Sequence, residues 1–284
     1  MNALLIEASQ KLIELASTPE WKNELLEKAP PVLWFGNNKS SKKKILTLGA
    51  NPSREEFLSD NKAMAQQKIN AGSNIEYLFN RRFYHLKHDE NYQSITTDDA
   101  LQNRVIESYN SYFQKNPYKW FGKKSVNNDL SYNVEGFLNA INASFYEGDY
   151  KYQALHIDLF PFATISDFNR LKDITERDLI KTLWMKMFLE KLIKSLTPDY
   201  IVVFGRANLL HFKELFHLDI GHSTKFHSEK GSSDYWLFKT DTISFIGLSV
   251  NLGNPIGFTK KSIHELGKKI IASKQAYNSC GLKW

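Results

Sequence analysis

The stretch Lys43-Lys44-Ile45-Leu46-Thr47-Leu48-Gly49-Ala50-Asn51-Pro52-Ser53-Arg54-Glu55-Glu56-Phe57 constrains the fold more than any other part of the chain. Its apolar run over 44–49 has the character of a buried strand. The run stops at Gly-x-Asn-Pro, and the acidic residues that follow are those of a helix start. In an open α/β sheet, ligands bind at the carboxyl ends of parallel strands. Asn51 would stand at such an end, approached closely past Gly49 and fixed by Pro52, where a short amide can position a water or a ligand atom. Taken alone, the same residues read as an ordinary turn.

The rest of the chain supplies partners for that strand. Residues 3–28 have helical spacing (Leu4, Leu5, Ala8, Leu12, Ile13, Leu15) and are stopped by Pro30-Pro31. Residues 58–150 are polar and rich in Asn and Tyr, and predict helices over 75–87, 98–115 and 130–146. A second strand is predicted over 153–160, stopped by Pro161, and a long helix over 174–196. Tyr200-Ile201-Val202-Val203-Phe204-Gly205 is the clearest buried strand, with a helix starting near Ala207. Residues 219–234 read as an irregular loop. One or two strands follow within 236–249, then a turn at 251–257 and a helix over 260–274. Strands separated by helices imply crossovers and a sheet covered on both faces. The predicted fold is a single three-layer α/β/α domain over 1–284. It has a central, mostly parallel four-stranded sheet, an N-terminal helical segment over 1–43 and a helical insertion at 58–150.

Composition narrows the function. With 284 residues, 42% hydrophobic and 24% charged, the chain has the makeup of a globular domain. No apolar segment approaches membrane-spanning length, so the expected setting is cytoplasmic, with no membrane partner. The single cysteine, Cys280, excludes an intrachain disulfide and a cysteine-ligated metal cluster. The eight histidines show no HExxH spacing. A net charge of +6 suits a polyanionic partner, as do aromatic and basic residues interleaved at Phe79-Asn80-Arg81-Arg82-Phe83-Tyr84 and Tyr118-Lys119-Trp120-Phe121-Gly122-Lys123-Lys124. Core packing with a charged rim explains those clusters as well.

GxGxxG, GxxxxGK[ST] and GxSxG are all missing, which leaves dinucleotide, P-loop and esterase chemistry without a signal. The polar residues at strand ends remain: Asn51, Asp158, Arg206 and Asn251. Their order resembles the uracil-DNA glycosylase superfamily, especially its mismatch-specific and single-strand-selective branches. Gly49-Ala50-Asn51-Pro52 resembles the G-x-N-P motif, whose Asn positions the attacking water. Asp158-Leu159-Phe160-Pro161-Phe162 is similar to N-L-C-P-L/F, whose Asn reads the flipped base. Val203-Phe204-Gly205-Arg206-Ala207 is similar to V-G-R-x-A. Ser249-Val250-Asn251-Leu252-Gly253-Asn254-Pro255 occupies the place of H-P-S-P-x-N-P, which inserts into DNA. The likeness covers the core strands, from about 44 to 274.

Two departures carry chemistry. The His that stabilises the departing base is replaced by Ser249, and the base-reading Asn by Asp158. An Asn can donate to a carbonyl and accept from a ring N–H, whereas an ionised Asp only accepts. Facing the O4 of uracil, it would leave a buried acceptor unmet, at about 1–3 kcal/mol; it suits an exocyclic amine. The resemblance therefore implies a monofunctional DNA glycosylase, monomeric and without a cofactor, that removes a cytosine-like or modified base rather than plain uracil. Repair and defence against viruses with modified genomes are both open as its setting. Asn51 and Asp158 are the catalytic candidates, either of which could activate the water. Gly49, Ala50, Phe57, Tyr84 and Asp158 are the candidates for holding the base. Arg206, Asn251, Leu252, Asn254 and Lys260 are the candidates for contacting DNA, duplex or single-stranded, with Leu252 as an apolar wedge. Turn formation, strand-end capping and core packing remain alternatives for these residues. A catalytically silent nucleic-acid-binding module and a hydrolase of free nucleosides or nucleotides are the rival functions.

Overall fold

The computed structural model of the protein describes residues 1–57, 82–115, 117–125, 129–166, 171, 182–240 and 243–279. Its helices are α1 (Asn2–Ala16), α2 (Pro19–Lys22), α3 (Tyr92–Thr97), α4 (Asp99–Asn110), α5 (Asn133–Ala140), α6 (Leu183–Leu196), α7 (Arg206–Phe216) and α8 (Lys260–Ser279). The strands are β1 (Lys43–Gly49), β2 (Ala143–Ser144), β3 (Tyr152–Asp158), β4 (Tyr200–Phe204), β5 (Thr224–His227), β6 (Ser232–Lys239) and β7 (Ser244–Leu248). The chain divides into two compact units. One comprises Met1–Gly36, Ala50–Pro117 and Asp158–Ser195; the other comprises Asn37–Gly49, Tyr118–Ile157 and Leu196–Trp284.

The second unit is built on the sheet, in the order β2-β3-β1-β4-β7-β6-β5. β1 pairs parallel with β4, and β4 with β7. Thr47 lies beside Leu155 and His156, and Ala50 beside Phe160, so β3 runs parallel to β1 as well. β1, β3, β4 and β7 thus end at one edge of the sheet. β6 and β5 add an antiparallel ribbon. Phe245 packs on Phe212 of α7 at 5.5 Å, while Tyr235, which pairs opposite Leu248 and so points to the other face, meets Ser273 of α8 at 2.9 Å. Helices α7 and α8 therefore cover opposite faces, with α5 packed on α8. This is the three-layer α/β/α arrangement predicted.

Among the described residues the sheet has seven strands rather than four. Two of them, β2 and β5, lack the apolar run that marks a buried strand. Thr224-Lys225-Phe226-His227 is mostly exposed and is held by backbone pairing to β6, so the predicted loop over 219–234 contains β5 and the start of β6. The helix predicted over 130–146 ends at Ala140. Asn142 takes a left-handed conformation (φ 60°), and its carbonyl and side chain accept from the N–H groups of Tyr152 and Lys151, which launches the short β2. Of the helix predicted at 75–87, residues 75–81 lie outside the described residues and 82–87 form no helix, the backbone there bending to carry Arg82 and Phe83 into the core; of that at 174–196, residues 174–181 lie outside them.

In the first unit, α1 buries Leu4, Leu5, Ala8 and Leu12 and packs on α3. The Asn91 side chain caps α3 in a reciprocal capping box with Ser94, and Asp98 caps α4 through the N–H groups of Ala100 and Leu101. On either side of a turn at 27–28, where Lys28 is left-handed (φ 62°), the chain lies against 161–165: Leu26 N–H donates to Ala163 O at 3.0 Å and Val32 N–H to Pro161 O at 2.8 Å. This pairing fixes the backbone that follows β3.

Candidate functional site

The candidate site of the first unit begins where β1 and β3 end. Gly49 closes β1, and the next carbonyl, Ala50, accepts from the Phe160 N–H at 2.9 Å. The chain one residue before Asn51 is thereby tied to the chain two residues after Asp158. The Asn51 Nδ2 donates to Phe162 O at 3.3 Å and to Thr164 Oγ1 at 3.0 Å. Both partners fix the orientation of the amide. A carbonyl only accepts, and the Thr164 hydroxyl spends its own proton on Ser166 O at 2.7 Å. The Asn51 amide nitrogen is thus engaged, and its oxygen is the half suited to accept from a water.

Ser53 then caps a single 3-10 turn, Arg54–Glu56, by accepting from the Glu55 N–H at 3.2 Å. The turn buries two consecutive acids, Glu55 and Glu56. Glu56 accepts from the Tyr112 hydroxyl at 2.6 Å, and Tyr112 has no exposed surface. The Arg82 guanidinium, also buried, donates to the Glu55 carbonyl at 2.5 Å. Burial pushes the Glu56 carboxyl up to about 8. The Tyr112 hydroxyl and the Arg82 charge pull it back, and the charge of Asp158 pushes it further up. Asp158, 4% exposed, is therefore within electrostatic reach of Glu56 inside a nearly dry environment. The first unit thus carries an oriented amide at Asn51, a buried Asp158 and, within its electrostatic reach, a buried Glu56 whose carboxyl is held well above the usual carboxylate range. Such a group can orient a water and move a proton.

Glu56 was not a candidate from the sequence. Its signal was the double acid Glu55-Glu56 three residues after Pro52, which reads as charge at a helix start. Phe57, expected to hold a base, is a core residue with no exposed surface, enclosed by Phe83 at 5.6 Å and His85 at 5.4 Å. Tyr84 is engaged elsewhere in the unit. Its hydroxyl donates to both Glu90 carboxylate oxygens, at 2.9 and 2.8 Å, and Arg104 lies over its ring.

In the second unit, the loops after β4 and β7 lie side by side. Gly205, at φ 86°, donates its N–H to Val250 O at 2.9 Å, which places Arg206, at the exposed start of α7, beside the loop at 249–257. In that loop the Asn251 side chain accepts from the Gly253 N–H at 3.0 Å, and the Asn251 carbonyl accepts from the Asn254 N–H at 3.1 Å; both asparagines are exposed. A Cβ on Gly253 would lie 1.5 Å from Trp120 Nε1, so the indole edge fills the space a side chain would need. Ser249 accepts from the Asp234 N–H at 2.8 Å. Leu252, expected to be an apolar wedge, is fully buried and belongs to the core. The loop presents Ile256 instead, 81% exposed. The correction has a physical source: a turn hides some apolar residues and shows others, and spacing alone does not say which. Lys260, at the start of α8, forms an exposed ion pair with Asp129 at 2.9 Å.

Among the described residues no group of three His, Cys, Asp or Glu is placed to hold a metal ion, and no helix is long and apolar enough to cross a membrane. No protein-family model and no curated protein matches the chain.

Proposed function

We propose that the protein is a DNA glycosylase that hydrolyses the N-glycosidic bond of a base turned out of a DNA strand, with a cytosine-like or modified base as its target. The observation that carries this reading is the oriented Asn51 amide in the same unit as the buried Asp158, their backbones tied through the Ala50–Phe160 hydrogen bond. The Asn51 oxygen holds a water toward C1′ of the sugar, and water placed in that way gains most of its advantage from proximity and fixed dipoles. Asp158 accepts from the exocyclic amine of the base, an interaction that uracil does not offer. No cofactor is needed for this reaction.

Taken by itself, the second unit carries groups suited to a DNA backbone. Arg206, Asn251 and Asn254 are exposed, and the exposed ion pair of Lys260 with Asp129 is weak enough to yield to a phosphate. Ile256 has the exposure that an apolar residue needs to enter a base step, the role first expected of Leu252.

The test is excision by the purified protein on single- and double-stranded oligonucleotides carrying cytosine, modified cytosines, uracil or mismatched thymine, beside Asn51→Ala. The expected result is abasic sites from one or more cytosine-type bases with wild type and a loss of at least about a hundredfold in the variant. Removal of uracil alone would refute the specificity. Ser249, standing where the related enzymes carry a His, favours the rival reading of a catalytically silent DNA-binding module. That rival requires equal DNA binding by both proteins and abasic sites from neither. DNA affinity that falls steeply with salt would set aside a hydrolase of free nucleosides.

A further inference from the structure

A base with an exocyclic amine poses a problem that uracil does not. Uracil can leave as a stabilised anion, and a His beside it can support that charge. Cytosine is a poorer anion, and the motif that would carry that His has Ser249 in its place. Departure is eased if the base accepts a proton as the bond to the sugar breaks. The site therefore needs a proton donor that is still protonated at neutral pH, close to the residue that reads the base.

We propose that Glu56 is that donor: it holds the proton that passes to N3 of the base, while Asp158 accepts from the amine at position 4. The inference rests on the glycosylase reading above and extends it from recognition to leaving-group chemistry. Three observations support it. Glu56 is 3% exposed and sits on a turn capped by Ser53, five residues from Asn51, so its position is set by the same backbone. Its carboxyl is steadied by the Tyr112 hydroxyl, which donates to Oε2 at 2.6 Å and so holds the group in one orientation. The groups that face it are mixed in sign, with Arg82 from the segment before α3, Asp158 from the end of β3 and Tyr112 from the turn after α4. Their balance, with burial as the largest influence, leaves Glu56 protonated until about pH 8. A carboxylic acid donates where a carboxyl oxygen accepts, so Glu56 and Asp158 presented to one base would match N3 and the 4-amino group of cytosine.

The step balances without any further reagent. The C1′–N bond breaks with its electron pair going to the base, and the Glu56 proton goes to N3, so the base leaves neutral. Water adds to C1′, and the proton it releases returns through solvent to Glu56. The sum is one water consumed, one free base and one abasic sugar.

The test joins a direct readout of the proton with an activity readout. Isotope-edited infrared difference spectra of wild type and Glu56→Gln near pH 7 are expected to show a protonated-carboxyl band that the variant lacks. On an oligonucleotide whose cytosine-type base wild type removes, Glu56→Gln, which can donate a hydrogen bond but not a proton, is expected to lose at least about a hundredfold in rate. Wild-type activity is expected to fall about tenfold per pH unit above about pH 8. The 3-deaza analogue of the same base, which has no N3 to accept a proton, is expected to resist excision. Absence of the infrared band overturns the inference whether or not the protein excises any base. So does full activity of Glu56→Gln, or equal excision of the 3-deaza analogue. A band present in a protein that excises no base from any oligonucleotide overturns the glycosylase reading, and with it the role of Glu56 as donor to a base.

Discussion

Replacing Glu56 by Gln should change how stability depends on pH, and the size of the change follows from the structure. The carboxyl has an ordinary value of 4.5 and stands at about 8 when folded, with burial the main cause. A group whose value is raised in the folded state binds more protons there than in the unfolded chain between those two limits. The stability it confers is therefore full below about pH 4.5 and is lost as pH rises toward about 8. The whole span corresponds to about 5 kcal/mol, of which about 2 kcal/mol falls between about pH 6 and about pH 8. A glutamine keeps the Tyr112 hydrogen bond and does not titrate, so the variant is free of this loss. Against a typical net stability of about 5–15 kcal/mol, the difference is readily measured. Urea unfolding of both proteins at half-unit pH steps is the assay. Wild type should lose stability relative to Glu56→Gln across that window and run parallel to it above. Curves that stay parallel throughout would mean that the Glu56 carboxyl is open to water or already ionised, and the argument from burial would fail.

Other substitutions test the frame around the two candidate regions. Gly253→Ala should lower stability by at least about 1–3 kcal/mol in thermal denaturation, because its methyl group meets the Trp120 indole and the loop or the ring must move. Leu252→Ala should cost about 2–5 kcal/mol as a cavity in the core, whereas Ile256→Ala should change stability by less than about 0.5 kcal/mol and instead weaken DNA binding in a filter or anisotropy assay. Glu135 accepts from Ser144 Oγ and Asn139 Nδ2 at 2.6 Å and from the Phe145 N–H at 3.1 Å. Glu135→Ala strands those donors and should destabilise by about 3 kcal/mol in chemical unfolding, with strand β2 the first element to lose hydrogen-exchange protection.

Local pattern carried much of the architecture. The runs at Lys44–Gly49 and Tyr200–Phe204 are apolar on both faces because parallel strands are buried on both faces, so they are visible without knowledge of their neighbours. The helix predicted over 98–115 ends at Asn110 and is capped by Asp98, because a cap and a helix end are chosen by backbone geometry that composition does not record. β5 was invisible for the opposite reason to β1. Its residues are exposed, and an edge strand is held by hydrogen bonds to its neighbour, which composition does not record.

By itself, the sequence determined the α/β class, the end of the first strand at Gly49-Ala50-Asn51-Pro52 and the presence of polar residues after the buried strands, because hydrophobic burial and turn chemistry act over a few residues. Tertiary structure decided which of those residues share a dry environment and which are core. Burial is a property of neighbours far apart in the chain: it hid Leu252 and exposed Ile256 within one turn, enclosed Phe57, and brought the charge of Asp158 within reach of Glu56 across a hundred residues of sequence. A carboxyl keeps its proton at neutral pH only where distant segments have excluded water from it, so Glu56 could be recognised only once those segments were in place.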